Sequence, residues 1–263
     1  MTREVLAERL AAVSELARVA GQLALAHYRH ATYERKGDES LVTVADREVE
    51  RFLRDEIERR WPGETILGEE MGRRGMLDAE CVWLLDPIDG TTNFVHGLPF
   101  WCVAIGLLEH GRPVLGVLAS PVLDAYYAGA PGLGAWCNEQ ALTPWVSPGR
   151  FTRTDTIAMS QALLCRGLDF GASVRVRALG SAQLHFAMVA AGACRAGLWC
   201  GDYAWDLAAG MALCLGAGCR VTTFAGDEPD LLPLLDGRPA DFGLLACGQA
   251  SHAACLAALE GLA

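Results

Sequence analysis

The sequence lacks the long apolar segments that a secreted or membrane-spanning protein carries. Charged residues such as Arg3 and Glu8 interrupt the N-terminal segment, which argues against a signal peptide. The longest stretches without a charged residue, around 90–108 and 242–259, are broken by Pro, Asn, His, Gln or Ser. Such stretches are typical of buried strands and loops and not of membrane spans. We therefore expect no membrane partner and a cytoplasmic location.

Positive charge is also scarce, and the cysteines form no metal-binding pattern. Lys and Arg number 22 against 32 Asp and Glu, a formal net charge of −10, which argues against general nucleic-acid binding. An acidic protein that acts on an anion needs cations, and metal ions are the obvious source. The ten cysteines include no C-x-x-C pair, and the six histidines form no ligand-spaced cluster with them. We expect most of these cysteines to be reduced core residues.

The residues that are present predict a mixed α and β protein with 52% hydrophobic residues, enough for a sizeable core. Apolar periodicity predicts helices near 3–30, 46–57, 181–191, 207–215 and 252–259, strands near 66–67, 82–85, 157–159 and 220–223, and an antiparallel meander over 101–129. The polar segment 143–156 is the expected seam. It separates an N-terminal α+β half (1–142) from a C-terminal α/β half (143–263), within one compact unit.

Two carboxylates stand at the exit of a predicted strand. Asp86 and Asp89 are three residues apart around Pro87, which restricts Asp86 to extended backbone and stiffens the turn. A turn there lets both carboxylates converge and leaves the Ile88 carbonyl free as a third oxygen ligand. Mg²⁺ prefers such oxygen ligands and leaves room for water and phosphate. The segment therefore indicates a magnesium site.

The next two residues are suited to binding an anion. Gly90 lets the backbone approach closely, and the N–H groups of Gly90 and Thr91 can bind phosphate if a helix starts there. The simpler alternative is an Asp-Pro turn followed by a threonine N-cap. The other acids also have interpretations without a metal. Glu69 and Glu70 can belong to a solvated loop, and Asp206 and Asp46 can be helix caps.

Taken together, these segments resemble the inositol monophosphatase family, within the Mg²⁺-dependent, lithium-sensitive phosphomonoesterases. The matching segments are LVTVAD at 41–46, GEE at 68–70, DPIDGTTNF at 86–94, LGSAQLHFAMVAAG at 179–192 and WDLAAG at 205–210. They cover nearly the whole chain in the expected order, and DPIDGTTNF with a downstream WD is the most specific part. The resemblance implies a mixed α/β fold, a layered αβαβα sandwich of the inositol monophosphatase/fructose bisphosphatase type, and a homodimer.

The resemblance also implies a set of metal ligands. Glu69, Asp86 and the Ile88 carbonyl would hold one Mg²⁺, and Asp86, Asp89 and Asp206 would hold a second, with a weaker third ion near Glu69. The ions would reverse the charge of the carboxylate cluster, lower the pKa of a water and stabilise the leaving oxygen. No covalent phosphoenzyme is needed.

Roles in catalysis and substrate binding follow from the same resemblance. Thr91, oriented by Asp46, would help to deprotonate the attacking water, with Glu69 as the third residue expected to act in catalysis. The backbone amides of Gly90 and Thr91 would hold the phosphate. The other expected substrate contacts are Asp89, Gly180, Ser181, Ala182, Trp199 and Asp206.

One position departs from the family pattern. Seven residues before Asp206, inositol-selective members carry a glutamate that binds substrate hydroxyls, and this chain has Trp199. An indole offers one N–H donor and a flat apolar face. Trp199 either lines the pocket, which would favour a ring-bearing alcohol, or belongs to the core. Asp202 is an alternative source of an acid, from a different direction.

The leading function hypothesis is Mg²⁺-dependent hydrolysis of a small phosphorylated alcohol, with inositol 1-phosphate as the default substrate. The rival enzyme hypotheses are a relative specific for histidinol phosphate, a sugar phosphate or a nucleotide 3′-phosphate. A rival of another class is a regulatory protein with a phosphatase fold. That rival predicts lost metal ligands or a basic surface stripe, whereas every acid of the matching motifs is present and the net charge is −10.

Overall fold

The computed structural model describes residues 1–37, 39–76, 79–147, 149–164 and 174–259. Within these ranges the chain forms seven α-helices and fifteen strands. The helices are α1 (Arg3–His27), α2 (Val44–Arg60), α3 (Thr91–Val95), α4 (Gln161–Leu164), α5 (Ala182–Ala190), α6 (Ala204–Gly216) and α7 (His252–Leu259). The strands are β1 (Tyr33–Arg35), β2 (Leu41–Thr43), β3 (Thr65–Gly68), β4 (Gly72–Arg74), β5 (Cys81–Asp89), β6 (Cys102–Glu109), β7 (Arg112–Ser120), β8 (Ala125–Ala130), β9 (Gly134–Cys137), β10 (Gln140–Ala141), β11 (Thr156–Met159), β12 (Arg175–Arg177), β13 (Ala196–Cys200), β14 (Cys219–Thr223) and β15 (Gly243–Gly248).

Local sequence explains where the first two long helices begin and end. Thr2 caps α1, and the helix ends at His27, three residues before the predicted end, as Arg29 turns into the left-handed region (φ 68°). Thr43 caps α2 through a reciprocal capping box with Asp46, whose carboxylate accepts the Thr43 backbone N–H. Asp46 is therefore a helix cap, as the simpler sequence interpretation held.

The layered αβαβα sandwich predicted from the sequence is confirmed. Helices α1 and α2 cover one face of an eight-stranded sheet ordered β10-β9-β8-β7-β6-β5-β3-β4, and α5 and α6 cover the other. A five-stranded sheet, ordered β12-β11-β13-β15-β14, packs on the far side of α5 and α6, with α4 and α7 outside it. Side chains alternate along β5, so Trp83 and Leu85 face α1 and α2 while Val82 and Leu84 face α6.

The pairing of β3 with β5 places the acidic segments side by side. The two strands are parallel, with Gly68 opposite Leu85, so their carboxyl ends meet at the same edge. The antiparallel pairing of β5 with β6 shifts register between Asp86 and Asp89. Strand β5 thus continues through the Asp-Pro-Ile-Asp segment, which the sequence analysis placed in a turn after residue 85. Pro87 has no N–H for a ladder hydrogen bond, which fits an irregularity there.

Helix α6 is apolar all round because it is buried between the two sheets. It approaches β7 at backbone distance, since a Cβ on Gly116 would lie 2.0 Å from the Ala209 carbonyl oxygen. Although α6 lies in the second half of the sequence, it packs against the sheet built from residues 65–141. This contact fixes the position of the N-terminus of α6 relative to the eight-stranded sheet.

Two further observations bear on the expectations from composition. The nine cysteines within the described ranges are all free, and six of them are buried. None of the helices in those same ranges is both long enough and apolar enough to cross a bilayer.

Gly116→Ala is expected to lower the free energy of unfolding by about 3 kcal/mol, because the added methyl group meets the α6 backbone, which has no rotamer to escape. Chemical denaturation followed by circular dichroism measures this. Gly149→Ala is the matched control, since no atom lies within 4 Å of a Cβ built there. Equal denaturation midpoints for the two variants would contradict the close contact between α6 and β7.

Candidate active site

Four carboxylates from three segments meet at one edge of the eight-stranded sheet. Glu69 directly follows β3, and its backbone N–H donates to the Leu85 carbonyl at 3.2 Å, which sets Glu69 beside Asp86. Asp86 and Asp89 come from the end of β5, and Asp206 from the first turn of α6. The predicted metal ligands therefore share one neighbourhood, although they are up to 137 residues apart in sequence.

The loop after β5 has the conformation that a glycine permits. Gly90 adopts φ 93°, and a Cβ there would lie 2.8 Å from the Phe100 carbonyl oxygen. Helix α3 starts at Thr91, so the first N–H groups of its turn have no carbonyl partner inside the helix. The predicted helix start behind the phosphate-binding segment is thus present.

Asp89 is held by the first turn of α5. One of its oxygens, Oδ2, accepts from Ser181 Oγ at 2.5 Å and from the Gln183 N–H at 2.7 Å, and Oδ1 accepts from the Ala182 N–H at 3.1 Å. A carboxylate at this position is stabilised by the positive end of the helix dipole. Ser181 and Ala182, expected from the sequence as substrate contacts, serve here as donors to Asp89, and the Ser181 side chain is buried.

Asp206 is fixed by α6 itself. It occupies the third position of the helix, and its Oδ2 accepts the Tyr203 backbone N–H at 2.7 Å. Asp206 therefore has the helix-capping role that the sequence left as an alternative. It also lies close to the other acids of the site.

Burial and mutual repulsion make these acids hard to ionise together. Burial, followed by the charges of Glu69, Asp89 and Asp206, raises the pKa of Asp86 well above its usual range. Burial likewise raises the pKa of Asp206, with the charges of Asp202 and Glu69 adding to the shift. It raises the pKa of Asp89 to about 6, despite the α5 donors that favour its ionised form. The cluster has far more negative charge than positive charge to balance it.

The nearest balancing charge is Lys36. Its Nζ contacts Glu69 Oε1 at 2.8 Å and Glu70 Oε1 at 2.5 Å. Burial raises the pKa of Glu69, and the Lys36 ammonium opposes that shift. Lys36 is partly buried, with 25% of its side chain exposed.

The residues fit a divalent cation in their chemistry. All the donors are hard carboxylate oxygens, together with the Ile88 carbonyl, and their like charges raise one another's pKa. Within the described ranges, no three Asp, Glu, His or Cys side chains are yet gathered around one point as a finished metal site. The carboxylates lie within electrostatic reach of one another.

Thr91 and Asp46 lie beside this cluster in the predicted relation. Thr91 Oγ1 is 3.4 Å from Asp46 Oδ1 and donates at 3.0 Å to the Ile88 carbonyl. The other oxygen of Asp46 accepts from the backbone N–H and the hydroxyl of Thr43, at 2.7 and 2.5 Å. Burial raises the pKa of Asp46 to about 6. Asp46 therefore both caps α2 and faces the Thr91 hydroxyl.

Of the two alternatives that the sequence left open for Trp199, its packing is that of a core residue. Its side chain is 1% exposed, its ring stacks on Phe186 with centroids 3.7 Å apart, and its Nε1 donates to the Ala182 carbonyl at 3.2 Å. The indole is taken up by the core because β13 lies under α5, and Trp199 supports the segment that holds Asp89. Gly180, in the same segment, adopts φ 75°, with the Asn93 amide 3.1 Å from where its Cβ would be.

Two residues that organise the site were missed from the sequence. Glu50 is fully buried, accepts the N–H groups of Glu70 and Met71 at 2.7 and 3.0 Å, and pairs with Arg54 at 2.7 Å. Asn93 donates to the carbonyls of Phe100 and Leu179, which connects the loop after β5 to the segment before α5. The signal for Glu50 was its spacing, because residues 46, 50 and 54 share one helix face.

Comparison with known proteins agrees with this geometry. Residues 5–259 match the model of the inositol monophosphatase family. The chain is 38% identical to the inositol-1-monophosphatase of Mesorhizobium japonicum, over 73% of this chain and 76% of the relative. It is 33% identical to the fructose-1,6-bisphosphatase/inositol-1-monophosphatase of Thermotoga maritima, over 84% and 87%. It is also 31% identical to the protein qutG of Emericella nidulans, over 85% and 79%.

Solved structures show the same similarity. The Thermotoga maritima IMPase superposes with a TM-score of 0.83 at 29% identity, covering 96% of this chain and 97% of that one. The extragenic suppressor protein suhB of Bartonella henselae superposes with a TM-score of 0.84 at 26% identity, covering 97% and 98%.

Mg²⁺ is expected to raise the thermal unfolding temperature by roughly 5 °C at concentrations far above its dissociation constant, because it relieves repulsion only in the folded protein. Differential scanning calorimetry with and without Mg²⁺ measures this. Asp86→Asn should unfold at or above the wild-type temperature without metal, since one buried charge is gone, and should gain little from Mg²⁺.

The matched control for that experiment is Asp55→Asn, an exposed aspartate on α2. It should respond to Mg²⁺ as the wild type does. An Asp86→Asn protein with the full wild-type gain would show that Asp86 is no metal ligand.

Proposed function

The chain belongs to the inositol monophosphatase family, whose members are phosphoric monoester hydrolases, and on that premise we propose that it hydrolyses inositol 1-phosphate to inositol and phosphate with Mg²⁺. The observation that carries the proposal is the meeting of Glu69, Asp86, Asp89 and Asp206 beside the start of α3. A phosphate dianion would be repelled by these acids alone, so the site needs cations to accept its substrate.

In the proposed site the chain holds two or three Mg²⁺ ions through Glu69, Asp86, the Ile88 carbonyl, Asp89 and Asp206. When bound, Mg²⁺ supplies positive charge to the phosphate and the leaving oxygen and lowers the pKa of a water. The carboxylates Asp86 and Asp89 are buried, and the low dielectric of such a setting strengthens this electrostatic effect.

The protein's own groups position the substrate and move the proton. The backbone N–H groups of Gly90 and Thr91, at the start of α3, hold the phosphate oxygens. Thr91 Oγ1 takes a proton from the attacking water while it passes its own proton to Asp46 Oδ1, 3.4 Å away. The raised pKa of Asp46, about 6, suits a group that must accept a proton near neutral pH.

With Trp199 in the core, Asp202 is the acid that we assign to the alcohol part of the substrate. It lies in the loop just before α6, and its Oδ2 is buried without a hydrogen-bond partner. Its charge raises the pKa of Asp206, so it lies close to the carboxylate cluster. A substrate hydroxyl is the partner that this oxygen lacks.

A sugar phosphate is the second candidate substrate. The relative from Thermotoga maritima, a fructose-1,6-bisphosphatase/inositol-1-monophosphatase, favours it. Sugars and inositol both present hydroxyls next to the phosphate-bearing carbon, so the same Asp202 contact serves either one. Histidinol phosphate and nucleotide 3′-phosphates are the remaining alternatives.

Phosphate release from inositol 1-phosphate is expected to require Mg²⁺ and to fall more than about a hundredfold in Asp86→Asn, because a shared ligand of both ions is lost. The assay uses inositol 1-phosphate, histidinol phosphate, fructose 1,6-bisphosphate and adenosine 3′,5′-bisphosphate, with Asp55→Asn as the control. If the wild type binds Mg²⁺ but releases no phosphate from any of them, the proposed substrate class is wrong.

Asp202→Asn is expected to lower kcat/KM for inositol 1-phosphate about tenfold, since a charged acceptor for a substrate hydroxyl is lost. Phenyl phosphate, which has no hydroxyl next to its phosphate, should be hydrolysed at the wild-type rate. Steady-state kinetics on both substrates checks this. An equal loss on both substrates would mean that Asp202 acts through the charge of the site and not through substrate contact.

A further inference from the structure

Gln183 connects two of the carboxylates without touching either one with its side chain. It is the second residue of α5 and is fully buried. Its backbone N–H donates to Asp89 Oδ2 at 2.7 Å. Its side-chain Nε2 donates to the Trp205 carbonyl at 2.7 Å, and its Oε1 accepts the Gly210 N–H at 2.7 Å. One residue thus joins Asp89 to the residue immediately before Asp206.

The orientation of this amide is determined by its partners. The Trp205 carbonyl can only accept a hydrogen bond, and the Gly210 N–H can only donate one. Nε2 must therefore face the start of α6 and Oε1 must face its second turn. The side chain binds α6 at two points along the helix. It therefore fixes the distance of α6 from α5 and the position of α6 along the helix axis.

Close packing makes that fixation stiff. A Cβ on Gly210 would lie 2.3 Å from the Phe186 ring, so this side chain of α5 packs directly on the α6 backbone beside the Gln183 contacts. On its other side α6 packs against β6 and β7, where a Cβ on Gly106 would lie 2.9 Å from the Ala208 Cβ. With Asp89 bound to the first turn of α5 and Asp206 rigidly part of α6, the separation of the two carboxylates depends on how the two helices are joined.

We propose that Gln183 is a positioning residue that sets the separation of Asp89 and Asp206, and thereby the affinity of the Mg²⁺ site that these two residues share with Asp86. The inference rests on the proposed function, because it assigns Gln183 a role toward the metal ligands named there. Gln183 itself contacts neither the substrate nor the reacting atoms.

The test uses Gln183→Met, which keeps the length of the side chain but can neither donate nor accept these hydrogen bonds, and Gln183→Ala, which cannot clash. Both variants should fold, because the Gly210 N–H and the Trp205 carbonyl lie in α6 and can form hydrogen bonds within that helix. Calorimetric titration of the whole protein with Mg²⁺ should show the weaker of the measured sites losing about 10- to 100-fold in affinity.

Kinetics provides a second measurement. The Mg²⁺ concentration for half-maximal phosphate release should rise by the same factor, whereas kcat at saturating Mg²⁺ and the KM for substrate should stay within about twofold of the wild type. A purely structural role would not produce this split, since loss of folded protein lowers kcat at every Mg²⁺ concentration.

Thr222→Val is the matched control, because Thr222 is a buried polar residue whose hydroxyl pairs with His252 Nε2 at 2.9 Å, in β14 and away from the carboxylates. It should lower the unfolding temperature of the metal-free protein and leave Mg²⁺ affinity unchanged. If both Gln183 variants behave as this control does, the positioning role is overturned. A wild-type protein that binds no Mg²⁺ would overturn the proposed function together with this inference.

Discussion

The architecture of the site depends on one constraint, the repulsion among carboxylates that are buried close together. Burial and neighbouring charges raise the pKa of Glu69, Asp86 and Asp206. The ionised form of each acid would therefore be more stable if the other acids were removed. Such a cluster persists only because the rest of the fold holds each acid in place through a separate element. The unfavourable energy of the cluster is what gives a divalent cation its binding energy there.

Three of the acids are held by backbone groups at the start of a helix. Asp89 receives the free N–H groups at the start of α5, Asp206 caps α6, and Asp46 caps α2. Glu69 follows a strand whose loop is supported by buried Glu50. The starts of α2, α5 and α6 supply backbone N–H donors that are unsatisfied in any case, and these acids accept from them, with the Thr43 and Ser181 hydroxyls as further donors. The stability of the helices and the geometry of the site are therefore set by the same hydrogen bonds.

Helix α6 links this geometry to the whole sandwich. It lies between the two sheets, its small residues allow close contact with β6, β7 and the Phe186 ring of α5, and Asp206 lies in its first turn. Any change in how the sheets pack against α6 would move Asp206 relative to Asp86 and Asp89. For this reason a residue such as Gly116, which packs against α6, affects the positions of the carboxylates in the site.

The sequence by itself determined the class of the fold, the order of its elements and the acids of the site. Periodicity and capping are local properties, and the DPIDGTTNF segment bears its own chemistry, so both could be predicted without a structure. The alternatives left open and the omissions concern long-range contacts. The sequence left Trp199 between the pocket and the core, because its spacing from Asp206 matches a family position, and only the packing of β13 under α5 decides that its ring is buried. The bridging by Gln183, the support by Glu50 and the donors on Asp89 join residues that are 20 to 94 positions apart. Contacts of that kind leave no periodic trace in a single sequence, and only the tertiary structure decided them.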